Sequence, residues 1–328
     1  MKRREFIALL SGTAVWPLAA GAQQPDRVRR IGVLMVFPES DREAQSLVKV
    51  LVERLGELGW TEGRNIHIDY RWGAAERGRA RALAQELVAL QPDMIIAGGG
   101  PAAFAIWQAA RSIPVVFVQV VDPVALGIVA SLARPGGNLT GFTHFESAIV
   151  GKWLEGLKEI APGMGRAAVV FDSDNPASAV YLHAIETVPA SFGVQLIPTG
   201  VRDAGEIERA IDLFAREPNG GLIVLPGPAT IEHRELIITL AARNKLPAVY
   251  YRRLYVTDGG LMSYGVDLPE MYRRSASYVD RVLKGISPTD LPVQAPTKFE
   301  LVINLKTAKA LGLDVPLHLQ QRADEVIE

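Results

Sequence analysis

The stretch Ile31-Gly32-Val33-Leu34-Met35-Val36, read with the segment behind it, decides the fold class. An unbroken apolar run of this length, without alternation, reads as a buried strand. After a short polar turn, Ala44, Leu47, Val48, Leu51, Leu55 and Leu58 recur at i, i+3, i+4, i+7 spacing, and Gly59 stops the helix they define. The alternation then continues with strand 65–72, helix 76–90, strand 94–98, helix 101–111 and strand 115–120. A βαβαβαβ series implies a parallel sheet covered by helices on both faces.

A second series begins after Thr140-Gly141-Phe142-Thr143. Helix 147–160 leads to strand 167–172, helix 176–191, strand 194–200, helix 203–216, strand 221–225, helix 230–243 and strand 247–251. Pro162-Gly163 and Pro218-Asn219-Gly220-Gly221 punctuate it. The two halves repeat in architecture but not residue by residue. The tail adds a strand at Leu261-Met262-Ser263-Tyr264, a helix at about 268–284, a strand from Phe299 to Leu305 and a helix from Lys306. The expected fold is therefore α/β, with two Rossmann-like lobes built on parallel sheets. Three crossings are expected near 143–146, 255–260 and 293–298, which assign 28–143 plus 258–292 to lobe 1 and 144–257 plus 293–328 to lobe 2. Three crossings make a hinge that permits closure and limits twisting.

The amino-terminal residues speak to location. Met1-Lys2-Arg3-Arg4-Glu5-Phe6-Ile7 carries paired arginines, no charge follows from Phe6 to Ala22, and the run ends in Ala20-Gly21-Ala22. A basic start, an apolar middle and an A-x-A site form an export signal of the twin-arginine kind, expected over residues 1–22 with cleavage after Ala22. Ser11, Gly12, Thr13 and Pro17 interrupt the run, so it is too short for a membrane span. The expected location is the periplasm.

Composition narrows the function classes. About 306 of the 328 residues remain beyond that signal, enough for two domains, and 48% of the chain is apolar. There are no cysteines, which excludes disulfides, thiolate metal sites and a cysteine nucleophile. The formal charge of -1 becomes -3 once Lys2, Arg3, Arg4 and Glu5 are removed, and no basic stripe suits nucleic acid. There is no G-x-S-x-G and no H-E-x-x-H, and His67, His144, His183, His233 and His318 lack metal-ligand spacing. The chain is thus read as a non-enzyme without a cofactor.

Five segments carry a family resemblance. They are Val121-Asp122-Pro123-Val124, Arg134-Pro135-Gly136-Gly137-Asn138-Leu139-Thr140-Gly141, Gly260-Leu261-Met262-Ser263-Tyr264-Gly265, the long string Pro296 to Gly312, and Arg322-Ala323-Asp324-Glu325-Val326-Ile327-Glu328. Together they resemble the substrate-binding proteins of ABC transporters, in the branch that includes TrpX-like members associated with aromatic amino acids. That resemblance implies a type I periplasmic-binding-protein fold. It also implies delivery of a small-molecule solute to an ABC permease in the inner membrane, without naming the solute; the protein is expected to be a monomer.

Ligands in open α/β sheets sit beyond the carboxyl ends of the strands, so candidate contacts follow each strand. After the first strand come Glu39 and Ser40, where Ser40 or Asp41 serves equally as a helix cap. After the third comes Gly98-Gly99-Gly100-Pro101-Ala102-Ala103, where Gly99 and Gly100 allow close backbone approach. This is formally G-x-G-x-x-A with Asp122 downstream, and it keeps an exported oxidoreductase as a rival reading. The dinucleotide fingerprint, however, opens the first βαβ unit and not the third strand.

Gln119 and Asp122 end the fourth strand, with Asp122 read as an ammonium partner or a turn former. His144 and Phe145 lie in the first crossing. Ser173 and Asp174 form the most polar turn of the second half, and Gly227 the matching turn two strands on. Tyr251 and Tyr264 belong to an aromatic group near the crossings, and either Arg252 or Arg253 can pair with a carboxylate. These candidates predict a small carboxylate-bearing solute, amino-acid-like or aromatic, held by hinge closure. A ligand sensor of the same fold is the other rival.

Overall fold

Local signals and tertiary packing agree over most of the chain. The computed structural model describes residues 27–74, 78–187 and 192–328; the export signal expected over 1–22 lies outside them. Lobe 1 starts with β1 (Arg29–Met35), α1 (Arg42–Glu57), β2 (Ile66–Arg71), α2 (Arg79–Ala89), β3 (Met94–Gly98), α3 (Gly100–Ala109), β4 (Val115–Val120) and β5 (Leu139–Thr143). Its strands form a five-stranded sheet in the order β2-β1-β3-β4-β5, parallel throughout. Asp41, not Ser40, caps α1, its carboxylate accepting from the Ala44 N–H at 2.8 Å.

The second lobe follows with α4 (Ala148–Ile160), β6 (Arg166–Asp172), α5 (Ser178–Glu186), β7 (Gln195–Val201), α6 (Ala204–Phe214), β8 (Gly220–Val224), α7 (Pro228–Glu232), α8 (Arg234–Arg243), β9 (Ala248–Tyr250), α9 (Arg253–Thr257) and β10 (Met262–Val266). Then come α10 (Leu268–Leu283), β11 (Phe299–Asn304), α11 (Leu305–Leu311), α12 (Leu317–Arg322) and β12 (Glu325–Ile327). The second sheet has seven strands in the order β12-β11-β10-β9-β8-β6-β7. It is parallel except where β11 runs antiparallel to β10. The single helix expected over 230–243 is broken at His233 into α7 and α8.

One boundary differs from the expectation. Residues 258–292 do not all belong to lobe 1. Met262 and Ser263 of β10 pair with Val249 and Tyr250 of β9, and β10 also pairs with β11, so this strand sits inside the second sheet. From α10 through Leu291 the chain returns to lobe 1, where Met271, Tyr272, Ala276, Val279 and Leu291 join Ile31, Leu47 and Leu51 in one core. The reason is burial. Leu261, Met262 and Ser263 are all buried and need neighbours on both sides, whereas α10 has a single apolar stripe that fits α1. The crossing therefore falls at Asp267, which caps α10 through the Glu270 N–H at 2.9 Å.

The crossings are laced together. The Asp267 N–H donates to the Lys298 carbonyl at 3.1 Å, and Lys298 Nζ lies 2.8 Å from the Asp267 carboxylate. The Thr143 N–H donates to the Gln294 carbonyl and the Gln294 N–H to the Gly141 carbonyl, both at 2.9 Å. Gly141 is required there, because a Cβ would sit 2.0 Å from the Phe117 carbonyl oxygen. Among the described residues, no helix is long and apolar enough to cross a membrane.

Candidate functional site

The loop after β1 and the first turn of α1 meet the turn after β9. Arg252 occupies that turn, between β9 and α9, with its side chain only 8% exposed. Its Nε donates to Glu43 Oε1 at 3.0 Å, and its Nη2 lies 3.0 Å from Oε2. The guanidinium also stands over the ring of Phe37, 5.2 Å from its centroid. Arg252 belongs to lobe 2, while Phe37 and Glu43 belong to lobe 1. Glu43 Oε2 is buried without a hydrogen-bond partner.

Lobe 1 and the first crossing each add a polar group. Gln119 has a left-handed backbone, φ 63°, at a register shift between Val118 and Val120. Such a bulge turns a side chain out of the regular pleat. The Gln119 amide oxygen accepts from the Tyr272 hydroxyl at 2.9 Å. His144, just beyond β5, has its Nε2 3.5 Å from the Tyr181 hydroxyl, and its Nδ1 is buried without a partner. Burial, and secondarily the Arg252 charge, pushes its pKa down to about 4, so the ring is neutral at pH 7.

Aromatic rings flank these groups. Phe145 meets Tyr181 edge-on at 4.7 Å, and Tyr181 stacks on Trp153 at 6.2 Å. Tyr251 packs edge-on against Tyr255 at 5.5 Å, and burial raises its phenol pKa. The assembly has the chemistry of a recognition site: one cation, one anion, neutral hydrogen-bonding groups and flat apolar walls.

Of the residues expected from sequence, Gln119, His144, Phe145 and Tyr251 come together here. The others are placed elsewhere or are already engaged. Glu39 lines a separate cavity of about 240 Å³ with Pro38, Tyr70, Arg71, Trp72 and Leu83, and Ser40 is exposed. A Cβ on Gly99 would lie 2.6 Å from Val36 Cγ1, and the nearest atom to one on Gly100 is Leu126 Cδ1 at 3.9 Å, so the chain's own side chains pack on this glycine turn. Asp122 accepts from the Val124 and Ala125 N–H groups at 3.0 and 2.9 Å, which is the turn-forming role.

Ser173 lies against Gly200 of the edge strand β7, and Asp174 is 3.5 Å from Arg202. Gly227 allows close approach to Asp172, whose carboxylate accepts from the Asp174 and Ala229 N–H groups, each at 2.9 Å. Tyr264 stacks on Phe299 at 5.6 Å, and its carbonyl accepts from the Trp153 indole at 2.6 Å. Ser173 and Tyr264 thus have neighbours within lobe 2.

Sequence reading missed Glu43, Phe37, Tyr181 and Tyr272. Glu43 reads as an acidic residue favouring a helix amino terminus, and the two tyrosines read as helical core. The adjacent arginines part company: Arg252 faces lobe 1, whereas Arg253 pairs with Glu300 and Glu325 inside lobe 2. Among the described residues, no group of three or more histidine, aspartate or glutamate side chains can hold a metal ion.

The family described as ABC transporter substrate binding protein matches residues 31–327. The chain belongs to that family. Members are solute-binding proteins and not enzymes; they bind small molecules and work with a permease. This substrate-binding protein is 26% identical over 293 residues to the tyrosine-binding protein of Clostridioides difficile (strain R20291), a match covering 87% of this chain and 81% of that one. Among solved structures it resembles a conserved domain protein of Vibrio cholerae, with a TM-score of 0.84, 26% identity and coverage of 92% and 100% of the two chains. It also resembles an ABC domain from Streptococcus pneumonia in complex with L-Trp, with a TM-score of 0.84, 23% identity and coverage of 91% and 99%. These likenesses establish the two-lobed periplasmic-binding-protein fold.

Proposed function

We propose that this substrate-binding protein is the exported, monomeric capture component of an ABC importer, and that it takes a carboxylate-bearing, amino-acid-like aromatic solute between its lobes. The solute closes the lobes about the crossings, and the closed form docks on an inner-membrane permease. The observation that carries this reading is the cluster at Arg252. Each lobe supplies one member of a largely enclosed charge pair; Glu43 Oε2 has only its 3.0 Å ion-pair contact to Arg252 and makes no hydrogen bond, and the nearby His144 Nδ1 makes none either. Buried polar groups are normally satisfied, so such atoms point to a ligand.

In this reading Gln119, His144, Phe145 and Tyr251 contact the solute, together with Glu43, Arg252 and Tyr181. The aromatic preference draws on the rings of Phe145, Tyr181 and Tyr251 and on the tyrosine-binding and L-Trp-bound relatives. A thermal-shift screen of amino acids, aromatic acids, nucleosides and sugars tests it. A true solute at one hundred times its dissociation constant adds about 2.7 kcal/mol of stability. Stabilisation by L-tyrosine or L-tryptophan is expected, and stabilisation by neutral sugars alone would overturn the ligand class.

A further inference from the structure

The Arg252 cluster also specifies how the charges of the solute are read, an inference that rests on the solute-binding reading above. The pair is formed by groups of opposite sign on opposite lobes, Arg252 after β9 and Glu43 in the first turn of α1. Arg252 has one hydrogen bond to Glu43, from Nε to Oε1 at 3.0 Å. Glu43 Oε2 lies 3.0 Å from Arg252 Nη2 without forming a hydrogen bond, and the neighbouring His144 Nδ1 has no hydrogen-bond partner. The groups complementary to a guanidinium and a carboxylate are a carboxylate and an ammonium. An α-amino acid carries both on one carbon.

We propose that Arg252 and Glu43 are the specificity-determining residues of the solute site. On loading, their direct pair separates, Arg252 takes the solute carboxylate, and Glu43 takes the solute ammonium. The exchange is charge for charge, so the closed cleft buries a neutral set before and after. An amine without a carboxylate leaves Arg252 unmatched, and an acid without an ammonium leaves Glu43 unmatched. Leaving one member of a buried charged pair alone is strongly unfavourable. The separation needs no local unfolding, because the two residues ride on different lobes and part as the cleft opens to admit the solute before closing on it. A pair that merely latched the lobes would not distinguish solutes by charge.

The test is calorimetry on the purified full chain with L-tyrosine and L-tryptophan. The comparison probes are tyramine and tryptamine, which lack the carboxylate, and 3-(4-hydroxyphenyl)propionate and indole-3-propionate, which lack the ammonium. The wild-type protein is expected to prefer the amino acid over either probe type by about a hundredfold, the scale of an unmatched buried charge. Glu43→Gln should lose most of the preference over the propionates and keep that over the amines; Arg252→Gln should do the reverse. The double variant Glu43→Gln with Arg252→Gln buries no lone charge, which guards against misfolding, and should discriminate weakly among all three classes. Equal loss for all probes in both single variants would reduce the pair to a latch and overturn the inference, as would amino-acid binding within twofold of wild type. Failure of the wild-type protein to bind any amino acid would instead overturn the solute reading itself.

Discussion

Arg252 and Glu43 meet across the two lobes with Nε 3.0 Å from Oε1, and each comes from the carboxyl side of its own sheet. Taking both charges out of water costs nearly as much as their attraction returns, so a pair of this kind does little to hold the lobes shut by itself. Closure then needs further contacts, and a bound solute supplies them.

Lobe closure is therefore expected to follow loading. Small-angle scattering should show a smaller radius of gyration with saturating L-tyrosine or L-tryptophan, whichever binds. Rotation is expected about the crossings after Thr143, at Asp267 and near Lys298. An unchanged radius at saturation would remove closure while leaving binding intact.

Tyr272→Phe should lower both stability and affinity. Tyr272 is fully buried, and its hydroxyl donates to the Gln119 amide oxygen at 2.9 Å. Without it, Gln119 loses the contact that orients its side chain on a left-handed backbone. The expected loss is about 1 kcal/mol in urea unfolding, with a several-fold rise in dissociation constant by calorimetry. Lost stability with unchanged affinity would take Gln119 out of the site.

Gly265→Ala should act on the site through the backbone. A Cβ there would lie 2.0 Å from the carbonyl oxygen of Tyr251, the residue before Arg252. Backbone cannot swing aside as a side chain can, so β10 or the Tyr251 turn must shift. Overpacking of this kind costs about 1–3 kcal/mol, and displacing Arg252 should weaken solute binding. Gly151→Ala is the control: a Cβ there meets nothing within 4 Å inside α4, so the change should raise stability by about 0.5–1 kcal/mol.

The neutral, largely enclosed imidazole of His144 predicts an acid-sensitive fold. Its pKa is held at about 4 in the folded protein, below the ordinary 6.5. The unfolded chain therefore takes up this proton first as pH falls through 6.5, and stability drops until the folded form is protonated near pH 4. Urea unfolding at pH 7 and pH 4.5 should show a smaller loss in His144→Asn than in the wild-type protein. Equal losses in both would mean that carboxylates elsewhere set the acid sensitivity.

Export is expected to depend on the paired arginines. Periplasmic protein should begin at Gln23, and Arg3→Lys with Arg4→Lys should hold the precursor in the cytoplasm. An intact Met1 terminus as the sole cytosolic species would overturn the location.

Much of this architecture was legible because burial leaves a local periodicity. The run at 31–36 and the helical spacing from Ala44 to Leu58 give β1 and α1 to within two residues at each end. Asp203 and Asp267 stand immediately before α6 and α10 and accept from the Glu206 and Glu270 N–H groups. β5 was less legible. Leu139–Thr143 is five residues long and contains Gly141, so it reads as a turn until Phe117 is seen against it.

Tertiary structure decided what periodicity cannot express. The same buried run at Leu261–Tyr264 fits either lobe, and only pairing with β9 and β11 assigns it to the second. Arg252 and Arg253 are equivalent as letters, yet one crosses to Glu43 and the other turns back to Glu300 and Glu325. Glu43 itself looks like an ordinary first-turn carboxylate. The sequence by itself determined two α/β halves, three connections and the family, because those depend on contacts a few residues apart along the chain. Which charges face each other between the lobes depends on where the chain crosses, and residues 209 positions apart meet there only after both sheets have formed.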